Sequence, residues 1–458
     1  MSGPISPTVE GITHWYQEST TSKDGPHTGR NFSMHFVKLG PLKPRTKYSY
    51  QVQGGSKDAV WSTVTTFRSA YTAADGGETR VAIFGDMAVT RYNAVGNLEA
   101  DCKTGVIDAI WMMGDHAYDL GQVDDHRGDA YMNGIAPAVS TCPWVPVIGN
   151  HEASDGDHYN RYLNQTWGEA YGNPAVTSTA DSALGHLLSK GTLFGASSHG
   201  SKPSGTSRYF SVDIGLIHFV GLDLNAAETH PRTIGLDATQ LAWLDQDLAA
   251  AQANRATVPW IVVTSHFPIY LSATIEGDHA NASAAHYLSN EAEAAPVDSD
   301  EEFRSCKANG ERSACKTVQE LQAEKTSKLE PLFIKYDVDV YAAGHSHIYG
   351  VTWPMVSNKA TAKNYSNPSA TVYITEGNGG VPGAPGKHTF TYPKTDWMRI
   401  HGSGGAYGRL ITSNSSTLTY EHVFNNGNDG KGEVMETWSI THASHDFPKT
   451  PAGRKAIR

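Results

Sequence analysis

Five short apolar runs in this chain each end in a side chain that can bind a metal ion. In the central run, five apolar residues from Ala109 to Met113 lead into Gly114 and Asp115, and Tyr118 follows three positions later. A run of this length that is closed by a glycine predicts a buried strand rather than a helix. The other four runs end in Gly85-Asp86, Gly149-Asn150, Ser265-His266 and Gly344-His345, with His347 two positions further on.

Side chains at the carboxyl ends of such strands gather at one edge of an α/β sheet, where these folds bind their ligands. A single Asp after a strand is more often only the start of a turn, but the recurrence in five strands favours a metal site, and one for two ions. Ions in such pairs lie about 3.5–4 Å apart, and we expect Asp115 to bridge them. His345 and His347 are two residues apart, which suits one histidine on each ion.

The composition is that of an ordinary globular protein. The chain has 458 residues and a net charge of -11, which argues against nucleic acid as the main partner because phosphate backbones are bound by surplus Lys and Arg. The 21 histidines modestly favour metal chemistry. No apolar run approaches the roughly 20 residues that span a bilayer, and no signal peptide is visible at the N-terminus.

Four cysteines, Cys102, Cys142, Cys306 and Cys315, lie outside the strand-end motifs. Cys306 and Cys315 flank a short polar loop, for which a local disulfide outside the cytosol and two free thiols are equally consistent. Five sequons permit N-glycosylation, although a chain rich in Asn, Ser and Thr contains about that many by chance. They are at Asn31, Asn164, Asn281, Asn364 and Asn414.

The hydrophobic pattern predicts an all-β N-terminal domain over residues 1–72 and an α/β domain over 78–445. Three alternating strands are predicted in the first, at His35–Leu39, Lys47–Gln53 and Trp61–Phe67. In the second, helices are predicted at residues 94–102, 237–251 and 318–336, and a strand pair at 208–213 and 216–223. The segments 153–205 and 272–312 are expected to be loops over the metal edge. We expect a C-terminal β region at about 405–442 and a mobile tail at 446–458.

The motifs together resemble the calcineurin-like metallophosphoesterases and, within them, the purple acid phosphatases. The resemblance covers nearly the whole chain, and Tyr118 stands where the purple enzymes keep a phenolate ligand. It implies a sandwich of two mixed sheets flanked by helices. The first domain resembles part of a fibronectin type III sandwich, possessing fewer strands than the seven such a sandwich needs. Further stretches that carry the main resemblance are Gln240–Leu248, Pro259–Tyr270, Leu329–Asp339 and Gly405–Leu410.

The resemblance also implies how the ligands are shared between the ions. A ferric ion would be bound by Asp86, Asp115, Tyr118 and His347. A divalent ion of iron, zinc or manganese would be bound by Asp115, Asn150, His266 and His345.

Three further histidines are assigned from the same resemblance. His151 would face the substrate phosphate, and the loop after His266 would supply a second such histidine. His286 is the candidate, because Ala285-His286 resembles the family's His-His stretch with its first member replaced, and His279 is a weaker one.

His116 occupies a place that is usually apolar in this family, either as an added proton donor or as a solvent-facing residue. His218, within an apolar run, is expected to be a hydrogen-bonded core histidine.

The implied activity is hydrolysis of phosphate monoesters at acid pH by a hydroxide that the metal pair generates from water, with small phosphorylated substrates. A phosphodiesterase or nucleotide pyrophosphatase with the same ligands is the alternative, and a non-catalytic binding scaffold is a further one. We expect a secreted, vacuolar or lysosomal protein. The glycine-rich stretch Gly380–Thr389 is not interpreted as a nucleotide-binding loop. Its glycine spacing differs from that of the phosphate-binding loop, and His stands where that loop has Ser or Thr.

Overall fold

A computed structural model of the chain describes residues 8–18, 20–22, 25–37, 39, 41–54, 59–89, 94–153, 162, 204, 206–225, 236–270, 274–276, 318–380, 389–391, 396–402, 406–425 and 432–445. His279, His286, the pair Cys306 and Cys315, and the tail lie outside these residues, as do most of the two segments that we expect to be loops.

Short strands in three two-stranded antiparallel pairs form the N-terminal module, residues 8–72. The pairs are β1 with β4, β2 with β3 and β5 with β6. Their bounds are β1 Ile12–Gln17, β2 Thr21–Ser22, β3 Gly25–Pro26, β4 Asn31–Phe36, β5 Lys47–Tyr50 and β6 Thr65–Arg68.

The predicted strands of this module are wrong at their ends. Lys47 pairs with Arg68 and Tyr50 with Thr65, so the second and third predicted strands are only four residues long. The first begins at Asn31 because it pairs along its whole length with β1. That partner was not predicted, since Ile12–Gln17 carries no clear alternation of apolar and polar residues.

The remaining described strands form two mixed sheets and two short pairs, β13 with β19 and β16 with β17. Their bounds are β7 Thr79–Phe84, β8 Ala109–Met113, β9 Trp144–Val147, β10 Phe210–Ile214, β11 Ile217–Leu222, β12 Trp260–Ser265, β13 Thr274–Glu276, β14 Val340–Ala343, β15 Tyr349–Thr352, β16 Met355–Val356, β17 Lys359–Ala360, β18 Val372–Glu376, β19 Thr389–Thr391, β20 Met398–Gly402, β21 Ala406–Thr412, β22 Thr417–Asn425 and β23 Gly432–Thr441. One sheet has six strands in the order β23-β22-β21-β7-β8-β9, and the other has seven in the order β10-β11-β12-β14-β18-β15-β20.

The described residues form five α-helices, four of which cover the outer faces of the two sheets. They are α1 Val95–Thr104, α2 His126–Val139, α3 Asn150–Ala153, α4 Ala238–Ala253 and α5 Val318–Lys335. The predicted helices are confirmed within two residues at each end. As expected, the Asp237 side chain caps α4 by accepting a hydrogen bond from the Gln240 amide at 2.7 Å. No described helix is both long and apolar enough to cross a bilayer.

The main core lies between the two sheets, because alternate residues of each strand point to opposite faces. Val81 and Ile83 of β7 point between the sheets, where the Trp111 ring stacks on Phe219 at 4.7 Å between centroids. Ala82 and Phe84 point outward into a second core beneath α1 and α2. A third core joins the seven-stranded sheet to α4 and α5. Strands buried on both faces explain the continuous apolar runs in the sequence.

Parallel pairing brings the strand ends of the motifs to one edge. Strands β7, β8 and β9 are parallel neighbours in one sheet, and β12 and β14 are parallel neighbours in the other. The two sheets are packed face to face, so their carboxyl ends can supply a single site from both sides. The predicted two-sheet α/β architecture is confirmed.

A disulfide joins Cys102 in α1 to Cys142, just before β9. The sequence did not predict this pair, since the two residues are 40 positions apart and cysteine pairing does not follow from spacing alone.

His218 is a buried, charged residue of the seven-stranded sheet, as expected of a hydrogen-bonded core histidine. Its Nδ1 lies 2.7 Å from Asp213 Oδ1 and its Nε2 lies 3.0 Å from Asp247 Oδ2. Burial alone would lower the pKa of His218, but the carboxylates of Asp247 and Asp213 raise it to about 10.

We expect His218 to make unfolding pH-dependent. A raised pKa in the folded state means that its stabilisation is complete below the unfolded value of about 6.5 and is lost as pH rises through about 10. The free energy of unfolding, measured in urea from pH 6 to 9, should therefore fall more steeply in the wild type than in His218→Asn. Equal slopes would show that His218 is neutral in the folded protein.

Candidate metal centre

The chain turns sharply after the motif strands. Several residues in these turns adopt backbone conformations that are rare for residues other than glycine. Asp86, Asp115, Tyr118 and His345 have φ values of 63°, 51°, 55° and 66°. Such residues cost about 1–3 kcal/mol each and persist where the surroundings hold them in place. Close approach also requires glycine at position 149, because a Cβ there would lie 2.3 Å from Asp115 Oδ1. These turns direct the side chains towards one another.

One group of side chains contains Asp86, Tyr118 and His347. The Tyr118 hydroxyl donates to Asp86 Oδ1 at 3.0 Å and lies 2.7 Å from His347 Nε2. His347 Nε2 is 3.4 Å from the same carboxylate oxygen. The other oxygen of Asp86 accepts a hydrogen bond from the His345 amide at 2.7 Å. The carboxylate is fully buried, and the group combines one carboxylate, one phenol and one imidazole.

A second group contains Asn150, His266 and His345. Asn150 Oδ1 lies 2.9 Å from His266 Nε2 and 3.0 Å from His345 Nδ1, and the two histidine nitrogens are 3.2 Å apart. His266 Nδ1 lies 2.8 Å from the Met113 carbonyl, which can only accept a hydrogen bond. Nδ1 therefore carries a proton, and this hydrogen bond directs Nε2 towards Asn150 and His345 as the ring atom that would bind a metal ion.

Asp115 lies beside the second group. Its Oδ2 is 3.1 Å from His266 Nε2, and its Oδ1 accepts from the His151 amide at 3.0 Å. Burial would raise the pKa of Asp115, but His266 and His151 lower it far below its usual range. Asp115 contacts His266 of the second group, and the turn that follows it leads to Tyr118 of the first group, so its position suits a bridging carboxylate.

The second group requires a positive charge. The ligand atoms of Asp115, His266 and His345 lie within 4.8 Å of one another. Burial would lower the pKa of His266, yet Asp115 raises it to about 9, whereas burial and His266 lower the pKa of His345 well below 6.5. A proton or a metal ion must therefore sit among these lone pairs. Imidazole, amide and carboxylate donors are those that borderline divalent ions accept.

The first group fits a harder ion. Burial and the neighbouring Asp86 carboxylate raise the pKa of Tyr118 well above 10, so the phenol stays protonated unless a strongly charged cation replaces its proton. Phenolate and carboxylate oxygens are ligands that hard ions favour. The two groups together hold the donors for a dinuclear centre.

His151 lies beside this centre, at the start of α3. Its Nδ1 is 2.8 Å from Asp119 Oδ1, and its Nε2 is 3.8 Å from Asp115 Oδ2. Burial would lower the pKa of His151, but Asp115 and Asp119 raise it to about 10. Asp119 holds the ring by one nitrogen and leaves Nε2 facing the metal groups.

The predicted ligands are thus brought together by the fold, together with His151. His116 is neither solvent-facing nor directed at the site, which corrects both expectations. It is buried, its Nε2 lies 3.1 Å from the Val147 carbonyl, and its ring stacks on Tyr131.

Another cluster, formed by Asp339, His442 and His445, could also hold a cation by its distances. There the guanidinium of Arg255 donates to Asp339 Oδ2 at 2.8 Å and supplies the positive charge itself. We assign no metal to that cluster.

Comparison with known proteins provides the family. Residues 79–349, more than half of the chain, match the family model described as calcineurin-like phosphoesterase. The chain belongs to this family. Residues 370–436 match a second model, described as iron/zinc purple acid phosphatase-like protein C.

Relatives of this phosphoesterase include several acid phosphatases. Human acid phosphatase type 7 is 27% identical over 422 residues, which are 91% of this chain and 79% of that protein. Purple acid phosphatase 21 of Arabidopsis thaliana is 26% identical over 384 residues, covering 82% and 65%. The solved structure of a purple acid phosphatase from yellow lupin seeds shares the fold, with a TM-score of 0.61 at 18% identity over 98% of this chain and 71% of that one.

Glu152 is a residue of this phosphoesterase site that the sequence analysis missed. Its fully buried carboxylate accepts hydrogen bonds from the amides of Asp115 and His116 at 2.8 Å each and from Gly149 at 2.9 Å. It thereby ties the turn after β8 to the turn after β9. Its position two residues after Asn150 was the available signal, but a glutamate there reads equally well as a helix residue.

We expect Glu152→Gln to destabilise the metal centre. A glutamine has one acceptor oxygen, so its NH₂ group would oppose an amide donor, and a buried unpaired group costs about 1–3 kcal/mol. The melting temperature and the metal content of the purified variant should both fall. Glu99→Gln on α1, whose carboxylate pairs with exposed Lys103, is the control. Unchanged metal content in Glu152→Gln would show that Glu152 does not support the metal centre.

Proposed function

We propose that this chain is an acid phosphatase that hydrolyses phosphate monoesters with a ferric ion and a divalent ion of iron, zinc or manganese. The observation that carries the proposal is the convergence of seven ligand-type side chains in two adjoining groups. Asp86, Asp115, Tyr118 and His347 would hold the ferric ion, and Asp115, Asn150, His266 and His345 the divalent one. When bound, the pair supplies Lewis acidity and neutralises charge at the phosphoryl group.

The chain's own residues would then act on the substrate. Asp119, which is not one of the proposed ligands, favours the protonated form of the His151 ring. That ring can donate a hydrogen bond to a phosphoryl oxygen and stabilise the charge that develops there. Asp119 orients the ring by accepting from Nδ1 at 2.8 Å. His286, with His279 as the weaker candidate, is proposed as a second substrate-facing histidine.

A phosphodiesterase or nucleotide pyrophosphatase remains the alternative, because the same ligands can serve either reaction and the choice of leaving group depends on surrounding loops. A further alternative is a non-catalytic binding scaffold. One relative from Arabidopsis thaliana, 22% identical, is named probable inactive purple acid phosphatase 1. The complete ligand set of this chain favours catalysis.

The compartment and the N-terminal module are part of the proposal. The disulfide between Cys102 and Cys142 supports a secreted, vacuolar or lysosomal protein, since such bonds persist in oxidising compartments. We place a fibronectin type III-like domain at residues 1–72 and the catalytic domain at 78–445, with its C-terminal β region at about 405–442 and a tail at 446–458. A short 3₁₀ helix at Ala73–Asp75 separates β6 from β7 and supports that boundary.

A substrate panel with metal analysis tests the activity. We expect turnover of phosphate monoesters to exceed that of diesters, with its best rate at acid pH and about two metal ions per active chain. The His151→Ala variant should keep its metal and lose about 10²-fold in kcat. Active protein with less than about one ion per chain, or loss of metal in His151→Ala, would contradict the assignment. Faster diester hydrolysis would favour the alternative.

The ferric assignment predicts a visible colour. Only a trivalent ion acidifies a tyrosine enough to bind it at acid pH, and a ferric phenolate absorbs visible light by charge transfer. We expect purple or pink protein, and Tyr118→Phe should keep the fold, lose the colour and keep part of the activity, since Asp86, Asp115 and His347 remain. Visible spectra of both proteins, at matched iron content, are the measurement. A Phe variant as coloured as the wild type would remove Tyr118 from the centre.

A further inference from the structure

The segment from Tyr118 to Asp129 links the metal centre to α2 in an unfavourable backbone conformation. Tyr118 and Asp119 are followed by Val123, Asp124 and Asp125, and all five have φ values between 55° and 75°. Residues other than glycine rarely adopt these values, and they persist only where surrounding contacts hold them. The segment therefore needs external contacts, and it carries both the phenol of one metal group and the partner of His151.

Part of this support comes from within the segment. Arg127 donates from Nη1 to the Tyr118 carbonyl at 2.6 Å, and the Gly128 amide donates to the Leu120 carbonyl at 2.9 Å. These bonds close the segment on itself and connect Tyr118 to the start of α2. A displacement at residues 124–129 would therefore reach the backbone of Tyr118.

Further support comes from the N-terminal module, about one hundred residues earlier in the chain. Thr28 holds both oxygens of the Asp124 carboxylate, with its amide at 2.8 Å and its hydroxyl at 2.6 Å. Arg30 donates from Nη1 to the Asp124 carbonyl at 2.8 Å and from Nη2 to Asp129 Oδ2 at 2.6 Å. The hydrogen bonds from Thr28 lower the pKa of Asp124, so the carboxylate is ionised when the contact forms.

The residues of the N-terminal module that make this contact are themselves held by hydrogen bonds. The Glu18 amide donates to the Arg30 carbonyl at 2.9 Å, and the His27 ring lies 2.7 Å from the buried Glu18 carboxylate. The contacting residues thus belong to a fixed turn between β3 and β4. A bidentate hold on one carboxylate together with an arginine that spans two acceptors fixes orientation as well as distance.

We propose that Thr28 and Arg30 are positioning residues for the phosphatase site. By clamping Asp124 and Asp129 they keep the strained segment in the conformation that places Tyr118 and Asp119. The N-terminal module is then a structural part of the metal centre. This rests on the proposed function only for its effect on turnover.

Hydrogen exchange and kinetics of the full-length, metal-loaded protein test the clamp. In the Thr28→Val and Arg30→Met double variant, the amides of residues 121–129 should exchange at least about tenfold faster, while those of α1 keep the wild-type rate. The kcat for a phosphate monoester should fall about threefold to tenfold. Thr28→Ser keeps the hydroxyl, so this variant should show the exchange and kcat of the wild type, in contrast to Thr28→Val.

Arg45→Met is the matched control. Arg45 also joins the module to the catalytic region, through the carbonyls of Gly76 and Glu78 at 3.2 and 2.8 Å, but it does not contact the segment. Its variant should leave both exchange at 121–129 and kcat unchanged. If the double variant does not fold, Thr28→Val alone gives the same reading.

Three outcomes would overturn the proposal. They are unchanged exchange in the double variant, faster exchange with unchanged kcat, and equal effects of Arg45→Met. Because exchange is measured without substrate, a wild type that lacks turnover would reject the proposed function while exchange still decides whether the clamp exists.

Discussion

A carboxylate that stays ionised inside a protein needs positive charge or N–H donors around it, and Asp115 has both. The His151 amide and the His266 ring approach its two oxygens, and its own amide is held by Glu152. Because Asp115 stands at the carboxyl end of the β8 strand, this requirement fixes the turns after β9 and β12 as well. Three of the five motif strand ends are joined in this way around one buried charge.

The surrounding sandwich makes that arrangement stable enough to hold strain. Several site residues have positive φ, and each such residue is unfavourable by itself. The strands that deliver them are buried on both faces, so the strand ends cannot move without disturbing two hydrophobic cores. Backbone strain at the edge is therefore offset by packing in the interior, which is the usual balance at functional sites.

The sequence analysis found most of the side chains that the fold brings together because they follow directly after uninterrupted apolar runs, and such runs have few structural alternatives. The same reasoning could not identify Asp119 or Glu152, whose roles depend on contacts across the fold rather than on position in a strand. The bridge between Cys102 and Cys142 was missed for the same reason. In the N-terminal module the pattern failed at strand ends, since the short pairings of β5 with β6 are set by tertiary contacts more than by alternation.

The negative charge of the site links the proposed binding of metal ions to the binding of substrate. The chain carries a net charge of -11, and Asp86, Asp115, Asp119 and Glu152 add local negative potential that repels a phosphate. A ferric and a divalent ion together would offset these four carboxylates and the Tyr118 phenolate, so the loaded site would no longer repel an anion. Asp119 favours the protonated ring of His151, which would add a positive charge on the same side. Substrate binding, as proposed, is therefore inseparable from metal binding: the carboxylates that hold the ions would exclude the substrate without them.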